Sequence, residues 1–317
     1  MIQTYADLAL ARLRSADVNE RRVALLELED NLDLVPVDEL LPLLLDGDAT
    51  VRRLAVQVVE EIGDPVVIPQ LVELSVDPER DVATAARHAL REFKVPSAVV
   101  YLVGGVSHAH PEARGASILA LREHRDARAV PALTKAVHDS DPAVRREAVI
   151  ALAHLRDPDS LPVLREALRD SSEDVRRIAI GAISSFQAET TIGDLLETLD
   201  DENWQVRQEA AAALGRFPSN QTIAGLLQLL GDAHWEVLKE ALNSLAQLRA
   251  PVAEAVLLFT SHSVADVRIA TANVLGEAGE TDSREALAEL LADPDTGVQK
   301  AARRALQKLG PLHAVSA

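Results

Sequence analysis

The sequence has no cysteine, one methionine, and only two tryptophans, two tyrosines and four phenylalanines in 317 residues. Without cysteine there are no disulfides, thiolate nucleophiles or Cys-ligated metal clusters, which fits a reducing compartment. Aromatics make up 3% while hydrophobic residues reach 48%. The interior must therefore be built from Ala, Leu and Val, a composition suited to closely approaching helices. Cations are also scarce: Lys plus Arg total 32 against 50 Asp plus Glu, a formal charge of −18. The average field repels a phosphate backbone or an anionic membrane, so neither nucleic acid nor membrane is an expected partner. No apolar run approaches the roughly 20 residues needed to span a bilayer. The opening "MIQTYADLALARLRSAD" has no basic segment ahead of its apolar residues, and the expectation is a soluble, cytoplasmic protein. No Ser-His-Asp constellation, glycine-rich phosphate loop or other nucleophile motif is visible, which points away from an enzyme and from a cofactor.

What the chain has in abundance is one sentence, repeated. "DPAVRREAVIAL" ends at Leu152, and related stretches lie on both sides of it. Stepping by 31 from Val144 finds Val51, Val82, Ala113, Val175, Val206 and Val237; after one dropped residue come Val267 and Val298, and Glu20 holds the place in the first unit. Four residues after each anchor stand Ala24, Ala55, Ala86, Ser117, Ala148, Ala179, Ala210, Ala241, Thr271 and Ala302, all small. Eight after it stand Leu, Ile or Val. Positions 0, +4 and +8 share one helical face, so each unit contains a helix with a buried stripe whose middle residue admits a close neighbour. Segments such as "DSLPVLREALRD" supply a second amphipathic helix per unit. Ten helical hairpins fill the chain.

Two more positions recur. Asp46, Asp77, Asp139, Asp170, Asp201, Asp232 and Asp293 precede their anchors by five, where an Asp is expected to cap the second helix. Arg21, Arg52, Arg114, Arg145, Arg176, Arg207 and Arg268 follow theirs by one. An Asp and an Arg six apart in each unit predict a ladder of charge-assisted bonds. Pro69, Pro131 and Pro162 share one phase in the first helices, where a bend is expected.

Paired helices, a proline in the first, and an Asp and an Arg around a Val and a small residue resemble HEAT repeats. The 31-residue period resembles the HEAT-like subtype named after phycobilisome lyases. The resemblance implies an all-α fold, a right-handed α-solenoid of about ten hairpins, with residues 1–310 as one solenoid and 311–317 as a tail. Stacked at about 8–10 Å per layer, ten units would make a curved rod on the order of 90 Å long, with the second helices on its concave side.

On the second helices, positions −2, −1, +2, +3 and +6 fall off the buried stripe and vary between units. Trp204 and Trp235 both occupy −2, in consecutive units, flanked by Gln208, Glu209, Glu236, Lys239 and Glu240. Two amphipathic rings about 10 Å apart form a candidate partner-binding anchor. Alternatively, each indole covers its own helix N-terminus. His108 and His262 replace the Asp at −5, and His108, His110, His138 and Asp141 form a weaker candidate metal set on adjacent turns. Elsewhere Arg53, Arg146, Arg177 and Lys300 alternate with Glu147, Glu173, Asp174 and Asp266 on the same face.

The leading expectation is a non-enzymatic scaffold, adaptor or assembly factor that holds a protein or peptide in its groove. The lyase resemblance implies an alternative, a bilin lyase-like or cofactor-protein maturation subunit handling a tetrapyrrole client. HEAT-type hydroxylases carry a di-iron site on His-Glu pairs; none of the nine histidines here is followed by Glu, so that chemistry is not expected.

Overall fold

The computed structural model describes residues 2–28, 32, 35–186, 189–278 and 281–310, with backbone only for 2–7 and 281–282. The expected tail, 311–317, lies outside these. Among the described residues there are twenty α-helices in ten consecutive pairs and no strand. The chain divides into two compact units, residues 1–163 and 164–317. The first contains α1 (Ile2–Leu13), α2 (Val18–Leu28), α3 (Leu41–Leu44), α4 (Ala49–Ile62), α5 (Ile68–Leu74), α6 (Arg80–Glu92), α7 (Ala98–Gly105), α8 (Pro111–His124), α9 (Val130–Ala136) and α10 (Pro142–Leu155). After α11 (Leu161–Ala167), which spans the division, the second contains α12 (Glu173–Ser184), α13 (Ile192–Glu197), α14 (Trp204–Leu214), α15 (Asn220–Gln228), α16 (Trp235–Gln247), α17 (Ala253–Val256), α18 (Ala265–Ala278), α19 (Thr281–Glu289) and α20 (Thr296–Leu309).

Even-numbered helices are the second helices, and their stripe is buried as its spacing requires. Val51, Ala55 and Val59 are each 0% exposed, as are Val206, Ala210 and Leu214. Where the +4 residue is polar it satisfies itself: Ser117 Oγ donates to Ala113 O at 3.0 Å and Thr271 Oγ1 to Val267 O at 2.8 Å. This removes the cost of a buried hydroxyl. Small residues bring backbones together, as at Gly276, where an added Cβ would stand 2.7 Å from Ala305 Cβ on α20.

Among the described residues, the first helices α3, α5, α9, α11 and α13 begin with a 3-10 turn that gives way to a short α-helix, as in Pro65–Val67 before α5 and Ala127–Ala129 before α9. Pro69, Pro131 and Pro162 are each the second residue of the α-helical part. They start that helix and do not bend it. In a first turn the N–H has no helical acceptor, so proline costs nothing there.

The repeated Asp and Arg form the expected ladder from one hairpin to the next, and each also shapes its own turn. Each Asp at −5 accepts the N–H two residues on, as when Asp77 Oδ1 takes Glu79 N at 2.8 Å, and so folds the turn. The helix cap itself falls to the −3 residue: Asp48 accepts from Val51 N and Asn203 from Gln205 N. Each Arg at +1 donates through Nη1 to the carbonyl of its own −5 residue, as Arg52 does to Asp46 O at 2.8 Å. Within each compact unit its other nitrogens reach the Asp 25 residues on, in the next hairpin. Arg52–Asp77, Arg114–Asp139, Arg176–Asp201, Arg207–Asp232 and Arg268–Asp293 each make two such bonds of 2.6–2.9 Å. In the first pair Arg21 Nη2 donates to Asp46 at 3.0 Å, while its Nε, 2.7 Å from the same carboxylate, lacks a linear bond. One guanidinium thus ties its own turn to the next, and the ion pair is a joint between hairpins.

The exceptions follow the same logic. Where the +1 residue is Ala83 or Leu238, the next −5 residue is His108 or His262 in place of Asp. A carboxylate without its guanidinium would be a nearly buried, unpaired charge. A neutral imidazole keeps the acceptor without the charge: His108 Nδ1 takes His110 N and His262 Nδ1 takes Val264 N, both at 3.1 Å. In the tenth hairpin Gln299 replaces the Arg, and its Nε2 still donates to Asp293 O at 2.8 Å.

Candidate functional site

Trp204 and Trp235 are the first residues of α14 and α16, and both are half-buried. The two rings do not serve one another. Trp204 lies over His234, the residue just before α16, with ring centroids 5.4 Å apart and planes inclined by 15°. Trp235 carries Lys239 Nζ 5.2 Å from its ring centroid, one helical turn on. Lys239 also stands 3.3 Å from Asp266 in the following hairpin.

The Arg207–Asp232 joint fixes this arrangement. Trp204 and Arg207 are three residues apart on one face of α14, and Asp232 folds the turn that presents His234 by accepting its N–H at 2.8 Å. Burial pushes the Asp232 carboxyl up, but the Arg207 hydrogen bonds, the His234 N–H and the Arg207 charge outweigh it and hold the group below the usual carboxylate range. The anion that positions His234 is therefore present throughout the neutral range.

Gln208, Glu209, Glu236, Lys239 and Glu240 are all half-buried. The cluster is a partly covered aromatic surface on two consecutive second helices with three carboxylates nearby. Sequence reading missed His234 as the ring partner of Trp204. Its signal was available, because His234 occupies the capping position of the hairpin stacked on Trp204.

The histidine set does not assemble. Among the described residues no group of three or more His, Asp or Glu can hold a metal ion. His108 is committed to its own turn through Nδ1 and to Glu73 through Nε2 at 3.1 Å, and its ring lies 5.7 Å from that of His110. Asp141 caps α10 by accepting from Ala143 N at 2.8 Å. Both ring nitrogens of His108 are thus engaged within the protein.

The remaining charges on the second helices are partly paired along the surface. Arg146 donates to Glu147 at 3.0 Å, Arg122 lies 3.7 Å from the same carboxylate, and Arg177 stands 3.5 Å from Asp174. Two glycines stand out on this face. Gly115 in α8 and Gly181 in α12 are in helix interiors, where glycine costs about 1 kcal/mol relative to alanine. An added Cβ would meet nothing within 4 Å at either. Packing does not require them.

Comparison with known proteins agrees with the architecture. A family model described as HEAT repeats matches residues 6–91, 99–184, 192–260 and 256–317. Among solved structures, the crystal structure of an engineered protein is similar at a TM-score of 0.51 and 20% identity, covering 98% of this chain and 99% of that one. A chain in the structure of Kap95p with RanGDP is similar at a TM-score of 0.62 and 16% identity, covering 98% of this chain and 50% of that one. At those identities the likeness concerns the fold alone. A comparison with curated protein sequences finds no match. No helix of the described residues is long and apolar enough to cross a membrane. With a HEAT model matching nearly the whole sequence and helical pairs that recur along it, the chain belongs to the HEAT-repeat family.

Proposed function

We propose that the protein is a non-enzymatic scaffold that holds a protein or peptide partner on the face of its second helices, with Trp204 and Trp235 as anchors in residues 164–317. The observation that carries this reading is that the only two tryptophans occupy one position in consecutive hairpins, half-exposed, with polar groups against their rings. Large amphipathic rings with polar surroundings supply binding energy when a partner removes them from water. Gln208, Glu209, Glu236, Lys239 and Glu240 form the proposed rim, and the carboxylates among them favour a partner with basic side chains that stack on the indoles.

A tetrapyrrole client has less support. Its propionates carry the same sign as Glu209, Glu236 and Glu240, and the 31-residue period is the feature that favours the lyase-type subtype. The test is cross-linking capture from the native cell with the Trp204→Ala/Trp235→Ala variant beside the unaltered protein, after circular dichroism has shown equal helicity. A partner lost with the variant supports the reading. Equal capture by both proteins removes the tryptophans from it.

A further inference from the structure

A second surface lies in residues 1–163, away in sequence from the tryptophans, and does not rest on them. Helices α6, α8 and α10 border a concavity of about 500 Å³. Arg87, His88 and Arg91 line it from α6, Arg146 lines it from α10, and Gly115 and Leu119 of α8 lie between them. A smaller hollow of about 230 Å³ adjoins it and shares Gly115 and Glu147.

We propose that this groove binds an acidic segment of a partner protein. Its charge runs against that of the chain: in a protein of net −18, three guanidinium groups converge on one hollow, and their internal partners leave donors free. Arg87 uses Nε on Ser75 O at 2.7 Å, and its Nη1 and Nη2 have no partner among the described residues. Arg91 approaches Glu123 no closer than 4.0 Å. Arg146 makes one bond, to Glu147, whose charge Arg122 also balances. Glu112, the other carboxylate in the hollow, lies in the first turn of α8, where the helix dipole favours it. Guanidinium forks are suited to bidentate recognition of carboxylates.

Gly115 supplies the second argument. It sits on the floor with nothing within 4 Å of an added Cβ, at a cost in helix propensity that no neighbour explains. The space it keeps lets a peptide backbone cross α8 closely, with carboxylates directed to Arg87 and Arg91 on one side and Arg146 on the other.

The full-length protein would be titrated by fluorescence anisotropy with labelled deca-glutamate, and with deca-lysine and a ten-nucleotide single strand as comparisons. The proposal expects deca-glutamate to bind, with Kd raised at least about tenfold by Arg91→Gln/Arg146→Gln, which removes charge-assisted hydrogen bonds, while any binding of deca-lysine, which the tryptophan surface favours, is not weakened by that pair. Gly115→Gln should weaken binding similarly by filling the floor. Because Gln is the better helix former, unchanged or improved thermal stability in that variant rules out unfolding as the cause. Absence of deca-glutamate binding, equal binding by the variants, or tighter binding of the oligonucleotide would overturn the proposal.

Discussion

Transplanting a joint tests the account of how the hairpins are held. The Arg207–Asp232 pair has bonds of 2.6 and 2.9 Å, with side chains only 15% and 6% exposed. Arg207→Leu copies the Leu238 of the next hairpin and leaves Asp232 a nearly buried anion whose only remaining internal donor is the His234 N–H at 2.8 Å. Removing one partner of a buried pair costs about 3–5 kcal/mol. Adding Asp232→His reproduces the Leu238/His262 joint that the chain already contains, with a neutral Nδ1 for the turn. What stays lost is the shared Arg207 Nη1 donation to Asp201 O at 2.8 Å and Glu202 O at 3.3 Å, a bifurcated hydrogen bond worth about 1 kcal/mol. The double variant should therefore be more stable than Arg207→Leu by about 2–4 kcal/mol. Urea unfolding followed by circular dichroism, with all four members of the cycle, measures it. A double variant no more stable than the single one would refute the idea that the histidine stands in for a missing ion pair.

Three further outcomes follow from the same geometry. Asp77, Asp139 and Asp232 are raised by burial but brought below the usual carboxylate range by their arginines and turn N–H groups, and Asp293 is lowered chiefly by its hydrogen bonds to Arg268. Since unfolded carboxylates titrate near ~3.9 and these titrate lower, their stabilisation is complete above that value and is lost as pH falls through the folded values. The urea midpoint should be flat from about pH 7 to 5 and fall steeply below about 4; a midpoint that rises on acidification contradicts the pairing. Gly276→Ala places a methyl 2.7 Å from Ala305 Cβ and 2.9 Å from its Cα, and thermal melts should show a loss of about 1–3 kcal/mol. Gly115→Ala meets nothing within 4 Å and should gain about 1 kcal/mol; equal effects at the two sites would mean that close packing between α18 and α20 is not what holds Gly276.

The hairpin count, the buried stripe and the family were legible because a small residue four after each anchor is a packing requirement that every unit meets separately. The joints were harder to see. Asp and Arg six apart look like local partners, yet stacking places the guanidinium nearer the Asp 25 residues on. The parallel change of Ala83 with His108 and of Leu238 with His262 carried that information in the sequence. The prolines misled for a related reason: a first helix that begins as a 3-10 turn has its α-helical start at the proline, and periodicity does not mark that boundary. At the candidate site the −2 register of Trp204 and Trp235 was readable. The direction of each ring was not, because the side chain of a first helical residue chooses between its own turn and the next hairpin by contacts that exist only after stacking.

The joints also constrain how such a chain can be rearranged. Each hairpin presents one kind of end to its successor and requires one kind from its predecessor. Hairpins three and eight, with Ala83 and Leu238, offer an uncharged end; four and nine, with His108 and His262, accept one. By this grammar hairpin eight can be spliced ahead of four, and three ahead of nine. A tandem copy of hairpin four would instead set Arg114 against His108 and leave a cation facing a ring already occupied by its own turn. Duplication and shuffling of these modules are thus limited by compatible ends, and a repeat that looks interchangeable by its buried stripe is interchangeable only with those that share its joint.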